Sequence, residues 1–352
     1  MTSLLSEFKG KNVFITGHTG FKGSWLTAIL HNAGANILGF SLEPKSEPNL
    51  FRLLRLSEKV PSTFGDIRDK NRISTAIEDF QPEFIFHLAA QALVRPSYFD
   101  PIETFTTNFV GSMNVLESVR HSDSIKSLIF VTSDKCYENK GKALPYQESD
   151  KLGGHDPYSA SKAAAEILFH SYLDSYYRLN RQLGAASVRA GNVIGGGDRS
   201  LDRIVPDFIR AIEAKTPIEL RNPEAQRPWQ HVLEPLNGYL KLAIELKNHP
   251  RDFSGSWNFG PNLDEVISVK ELIGKFIESY GTGSITQVIQ EEPMHEASYL
   301  RLDSRKSEEF LSWRPKWNID SCITKTIDWY RDVSLGADPY AKTISQIEEY
   351  FS

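Results

Sequence analysis

Asn12-Val13-Phe14-Ile15-Thr16 is a short run of mainly β-branched and aromatic residues, and Gly17-His18-Thr19-Gly20-Phe21-Lys22-Gly23 follows it without a break. Trp25, Leu26, Ile29 and Leu30 then recur at helical spacing. The order is strand, glycine turn, helix, which sets a positive helix N-terminus against the carboxyl end of a strand. Glycines three residues apart let the backbone amides of such a turn come close to a pyrophosphate. A dinucleotide turn is therefore expected, with Gly17, Gly20, Phe21 and Gly23 at the ligand. A tight βα turn that binds nothing is the competing reading.

The alternation continues downstream. A second strand fits Asn36 to Ser41, a third lies just before Gly65, a fourth runs from Phe84 to Leu88 and a fifth from Ser127 to Val131. Between the last two, Phe105, Phe109, Met113, Leu116 and Val119 fall along one stripe of a helix. Strands joined by crossover helices form a parallel, doubly wound Rossmann sheet, an α/β fold whose ligand crevice opens at the carboxyl ends of the strands. This first domain is expected over residues 1–190 and should carry the catalytic residues. Beyond it Pro206, Pro217, Pro223, Pro228 and Pro235 interrupt the chain. A smaller mixed α/β C-terminal substrate lobe is expected over 191–352, with some segments returning to the first domain.

Forty Lys and Arg against 45 Asp and Glu leave a net charge of −5 with no polybasic run, which argues against a nucleic-acid partner. Met1 to Lys11 lacks the apolar core of a signal peptide, and no apolar run reaches the roughly 18 residues of a membrane helix. A cytoplasmic protein is expected. Cys136 and Cys322 lack metal-ligand spacing, and His155, His231 and His295 stand alone, so no metal is expected. Cys136 reads as a packed thiol.

Tyr158-Ser159-Ala160-Ser161-Lys162 places a phenol and an ammonium four residues apart on one helix face. A tyrosine of ordinary pKa about 10 can act as a base near neutrality when a lysine cation and an oxidised nicotinamide favour the phenolate. The fifth strand runs straight into Thr132-Ser133-Asp134-Lys135, which delivers a hydroxyl and two titratable groups to the same sheet edge. Gly65-Asp66-Ile67 ends the third strand, where Asp66 could read an adenine edge or cap the next helix. The second strand ends in Ser41-Leu42-Glu43, and Glu43 or Lys45 there leaves NAD and NADP both open.

Gly17 to Gly23, His87-Leu88-Ala89-Ala90, and Ser133 with Tyr158 and Lys162 resemble the extended short-chain dehydrogenase/reductase superfamily that acts on nucleotide sugars. More narrowly, the glycine turn, Thr132 to Tyr137, Arg189 to Asp198 and Arg227 to Pro235 together resemble the CDP-glucose 4,6-dehydratase family. The resemblance implies tightly held NAD and conversion of CDP-glucose to its 4-keto-6-deoxy product, a step towards the dideoxysugars of bacterial surface polysaccharides such as the lipopolysaccharide O-antigen. It implies cofactor contacts from Gly17, Gly20, Phe21, Gly23, Asp66, Ile67, Ala89, Ala90, Asn108, Tyr158 and Lys162, and substrate contacts from Asn192, Arg203, Arg227, Asn262 and Tyr299. Tyr158, with Ser133 and Lys162, would take the C4 hydroxyl proton; Asp134 and Lys135 match the acid at C6 and the base at C5.

The related dTDP-glucose dehydratases carry Asp-Glu where this chain has Asp134-Lys135. Lys135 would then work as a neutral amine, or only orient Asp134. The resemblance also implies a homodimer or homotetramer built through the Phe105–Arg120 and Tyr158–Arg181 segments. A 4-epimerase or reductase on the same scaffold is the nearest rival, and a non-catalytic NAD-sensing member the more distant one.

Overall fold

Val13, Phe14, Ile15 and Thr16 are all buried, as a strand must be when helices cover both faces of its sheet. The computed structural model describes residues 3–44, 47–141, 144–180, 182–287 and 300–352. The strand Asn12–Thr16 (β1) lies inside a seven-stranded parallel sheet. Asn36–Ser41 (β2) and Ser62–Phe64 (β3) extend it to one side. Phe84–His87 (β4), Ser127–Val131 (β5), Gly184–Ala190 (β6) and Gly255–Phe259 (β7) extend it to the other. The spatial order is β7-β6-β5-β4-β1-β2-β3, so the winding reverses between β1 and β4. Ligands bind α/β sheets at such a reversal, outside the carboxyl ends of the strands.

Alternation along each strand splits the core in two. Val13, Ile15, Phe84 and Phe86 face one apolar cluster, whereas Phe14, Phe40, Ile85 and Leu128 face the other. The crossover helices are well started: Asp69 accepts from Arg72 N to cap Lys70–Phe80, and Asp156 accepts from Ser159 N to cap Pro157–Ser175. The stripe from Phe105 to Val119 is not one regular helix. Pro101–Phe105 is α-helical, Thr106–Gly111 widens into a π turn, and Ser112–Arg120 resumes the α-helix. The widened turn rotates the stripe, so Phe105 stays exposed while Leu116 and Val119 are buried.

Past Ala190 the described residues form three short two-stranded ladders, pairing 193–194 with 230–231, 226–227 with 267–268, and 218–220 with 285–287. The helix Leu233–Asn248 and strand β7 return to the large sheet. The two parts share one core, in which the Trp25 indole donates to the Gly196 carbonyl at 3.0 Å. No helix among the described residues is long and apolar enough to cross a membrane.

Candidate active site

The glycine turn opens the helix Phe21–Asn32 at the reversal point. Gly17 has φ +75, and a Cβ there would lie 2.7 Å from Ala89 N, so the turn packs directly on the segment leaving β4. Thr16 Oγ1 ties that contact down by accepting from Leu88 N and Ala89 N, both at 3.2 Å. This brings Ala89 and Ala90 beside the turn. A Cβ on Gly23 would strike Gly17 O, but one on Gly20 would meet nothing nearer than 3.4 Å. Packing therefore requires Gly17 and Gly23, whereas Gly20 is not needed for packing and leaves its backbone open to a ligand. Phe21 reaches across to Gly195 in the C-terminal part, where a Cβ would sit 3.3 Å from its ring. The chain fits a dinucleotide here.

On the adenosine side the structure departs from a carboxylate-lined pocket. Ser41 Oγ meets Thr19 Oγ1 at 2.9 Å and His18 Nδ1 at 3.2 Å, and His18 Nε2 meets Ser62 Oγ at 3.0 Å. Burial pushes the His18 imidazole down to about 4, so this cluster is neutral. Glu43 is exposed, and Lys45 lies outside the described residues. Asp66 pairs with Arg68, whose Nη2 lies 2.6 Å from Oδ2. Ile67 is buried beside it, its carbonyl held by Asn114 Nδ2 at 3.0 Å. Asn108 has a different task from the expected cofactor contact. Its Oδ1 accepts from Gln91 N, and its Nδ2 donates to Gln91 O and Ser161 Oγ, so the π turn uses its amide to brace the Ala90–Gln91 segment.

At the end of β5, Ser133 caps a 3-10 turn over Asp134–Cys136 by accepting from Lys135 N at 3.2 Å. The same hydroxyl donates to Asp134 Oδ1 at 2.9 Å. Tyr158, on the first turn of Pro157–Ser175, lies close enough to Ser133 for that hydroxyl to favour the phenolate, and Lys162 follows one helical turn later. All four side chains are buried. Burial pushes the Tyr158 phenol up to about 12, with the nearby Ser133 hydroxyl acting against it. Burial likewise lowers Lys162 to about 8 and raises the Asp134 carboxyl, the latter opposed by Lys135, Ser133 and Lys22. Lys135 is partly exposed beside them. The neighbouring Cys136 is buried and its thiol is held well above the ordinary range.

Lys22 was not anticipated. Burial pushes it down to about 8, with Arg203 and Lys162 adding to the effect and Asp134 opposing it. Its Nζ stands 5.9 Å from the centre of the Tyr239 ring. The only signal in the sequence was a lysine inside a turn whose other members serve through backbone or bulk.

Arg203, Arg227 and Asn192 come from the C-terminal part. A Cβ on Gly191 would sit 3.2 Å from Asp134 Oδ2 and 3.5 Å from Pro228 Cγ, so the loop carrying Asn192 closes over the Asp134 carboxyl. Arg227, 8% exposed, is enclosed next to that Pro228, with Nη1 donating to Gln226 O. Arg203 pairs with the buried Asp198 at 3.0 Å and lies close enough to Tyr158 to act on its charge. Asn262 does not join them: it is exposed and donates to Glu265 Oε1 at 3.0 Å. Tyr299 and His295 lie outside the described residues.

A hydroxyl, phenol and lysine at the carboxyl edge of a doubly wound sheet, under a second lobe, define a member of the extended short-chain dehydrogenase/reductases. The model of the GDP-mannose 4,6 dehydratase family matches residues 14–326, and the chain belongs to that family of dehydratases. It is 41% identical over 349 residues to a CDP-glucose 4,6-dehydratase of Salmonella typhimurium, covering 98% of this chain and 97% of the relative. A human dTDP-D-glucose 4,6-dehydratase is 27% identical, covering 92% of this chain and 90% of the relative. Among solved structures, UDP-glucose 4-epimerase of Thermus thermophilus in complex with NAD superposes with TM-score 0.77 at 25% identity, covering 91% of this chain and 99% of the other. The dTDP-glucose 4,6-dehydratase of Bacillus anthracis has the same fold, with TM-score 0.77 at 22% identity over 94% of this chain and 99% of the other.

Proposed function

We propose that this dehydratase is cytoplasmic and acts on CDP-glucose, yielding CDP-4-keto-6-deoxyglucose and water. The observation that carries the reading is the contact between Ser133 and Asp134: a buried carboxyl stands beside the serine that assists the oxidation base, where an epimerase or reductase has no use for one. NAD bound over the glycine turn would supply the acceptor for the hydride leaving C4 and its donor to C6. Tyr158 takes the C4 hydroxyl proton, with Ser133 orienting that oxygen and Lys162 favouring the phenolate. The ketone at C4 acidifies the hydrogen on C5. Lys135, working as a neutral amine, removes that hydrogen, and Asp134, whose carboxyl burial pushes up, gives its proton to the departing C6 hydroxyl.

Residues 191–352 supply most of the nucleotide-sugar site, with Arg227 and Arg203 facing the diphosphate and Asn192 the sugar. Gly17, Gly20, Phe21, Gly23, Ile67, Ala89 and Ala90 line the NAD site. Exposed Phe99, Ile102 and Ile167 lie on or beside the helices that pair two copies in this reading. Incubation with CDP-glucose and no added reductant tests the assignment. A keto sugar is expected; a C4 epimer or unchanged substrate would overturn it.

A further inference from the structure

The helix Pro157–Ser175 must find partners for the amides of its first turn. Pro157 has no N–H, Asp156 Oδ1 accepts from Ser159 N at 2.9 Å, and Ala160 N donates to Asp156 O at 2.9 Å. The remaining amide is that of Tyr158, and its acceptor comes from far away in the chain. Ser97 Oγ accepts from Tyr158 N at 3.2 Å across 61 positions. The Ser97 hydroxyl points its own hydrogen at Val94 O, 2.6 Å away, so it meets the Tyr158 amide as an acceptor only. Ser97 is fully buried, which makes the loss of that acceptor costly.

Ser97 lies on the short helix Val94–Phe99, which is fixed at its start by Gln91. Gln91 Oε1 accepts from Leu93 N at 2.6 Å, and its Nε2 donates to Leu93 O and Thr104 Oγ1. Two residues before Ser97, Arg95 Nη1 donates to Asp202 Oδ1 at 2.7 Å. Positions two apart on a helix point about 200° away from each other, so the two contacts leave the helix on different sides. One goes to the helix of Tyr158 and the other to the substrate lobe.

Asp202 has a left-handed backbone, φ +58, and Arg221 Nη1 lies 3.3 Å from the oxygen that Arg95 engages. It directly precedes Arg203, which faces the diphosphate in the function proposed above. The Arg95–Asp202 pair is partly exposed and contributes little to stability on its own, so its effect is on register. We propose that the helix Val94–Phe99 is a strut between the substrate lobe and the oxidation base, in which Ser97 positions Tyr158 and Arg95 positions the loop of Arg203. The inference rests on Tyr158 being that base. Seating of the diphosphate and seating of the phenol are then set by one element.

Amide hydrogen exchange of the protein without substrate tests the strut apart from the function. Tyr158 N–H should exchange about 10-fold faster in Ser97→Ala, the protection that one hydrogen bond supplies. It should also exchange faster in Arg95→Ala, although the hydrogen bond of Arg95 is to Asp202. At saturating CDP-glucose, stopped-flow formation of reduced nicotinamide by the NAD-loaded enzyme should slow by about 10- to 100-fold in Ser97→Ala, with half-saturation unchanged. Ser97→Thr should restore the rate, because a threonine hydroxyl in a helix can still bond the carbonyl three residues back. Arg95→Ala should slow the same step, and the double variant should be no slower than Ser97→Ala, since either change cuts the one strut. Should Ser97→Ala not fold, Arg95→Ala at the surface reads the strut from its other end. Oxidation at the parent rate in Ser97→Ala, or Tyr158 exchange unmoved by Arg95→Ala, would overturn the strut. Absence of reduced nicotinamide with the unaltered protein would instead overturn the function, and the exchange rates would still decide the strut.

Discussion

Glu166 and Arg189 meet as a two-point pair inside the protein, with Nε 2.9 Å from Oε1 and Nη2 2.7 Å from Oε2. Thr132 Oγ1 donates to the same carboxylate, and Arg189 Nη1 donates to the Tyr137 hydroxyl at 2.7 Å. Glu166 lies one helical turn beyond Lys162, so the pair locks the helix bearing Tyr158 to the loop bearing Ser133.

Breaking that pair should therefore cost both stability and turnover. Arg189→Met leaves the Glu166 carboxylate buried without its counter-ion and should lower unfolding free energy by about 3–5 kcal/mol. The double variant Glu166→Leu/Arg189→Met should recover most of that loss in urea titrations. A single variant as stable as the parent would show that water reaches the pair.

Tyr158→Phe should abolish the near-ultraviolet absorbance of reduced nicotinamide that appears when CDP-glucose is added, because the C4 hydroxyl then has no base. Binding of CDP-glucose, followed by calorimetry, should change little. Appearance of that absorbance in the variant would remove Tyr158 from the oxidation step.

Asp134→Ala and Lys135→Ala should separate acid from base. Both should oxidise C4 and then stall. In heavy water the stalled Asp134→Ala complex should still exchange the hydrogen on C5, whereas Lys135→Ala should not, as read by mass spectrometry of the released sugar. Exchange retained in Lys135→Ala would leave Lys135 an orienting residue for Asp134.

Arg227→Ala should weaken CDP-glucose binding by about 2–4 kcal/mol, since an enclosed guanidinium facing a diphosphate is lost. Asn262→Ala should leave affinity unchanged, because its amide is exposed and engaged by Glu265. Calorimetric titration of both variants distinguishes the enclosed position from the exposed one.

Lys22 and Lys162 are pushed down to about 8 from 10.5, so between those values the unfolded chain binds more protons than the folded one. Stability of the nucleotide-free protein should rise with pH across that window and gain nothing from these groups below it. Lys162→Met should remove its share of the rise in urea midpoints measured from about pH 8 to 10.

Strands β1 and β5 were legible because burial on both faces leaves an apolar run, Val13-Phe14-Ile15 in one and Leu128-Ile129-Phe130 in the other. Strand β7, Gly-Ser-Trp-Asn-Phe, was not legible. Its Ser256 and Asn258 are buried polar residues whose partners come from elsewhere in the fold: Ser187 and Arg189 for one, Tyr137 for the other. That Ser133 and Asp134 leave a strand end and that Tyr158 and Lys162 share one helix face was readable from the apolar run ending at Val131 and from the four-residue spacing. Lys22, Glu166 and the bracing role of Asn108 were hidden, since each depends on where a side chain points across the fold. The bond from Asn262 to Glu265 in its own loop was hidden for the same reason.

Strand β7 is also the last to join the sheet, and it pairs with β6 along its whole length. On the ribosome the chain emerges N-terminus first, so β6 is made long before the segment that will cover its outer edge. Until then that edge offers unpaired amides and carbonyls to any passing strand. The C-terminal part therefore completes the sheet: its return at Gly255–Phe259 seals the nascent edge, and a chain stopped before it should need a holdase chaperone to stay out of aggregates.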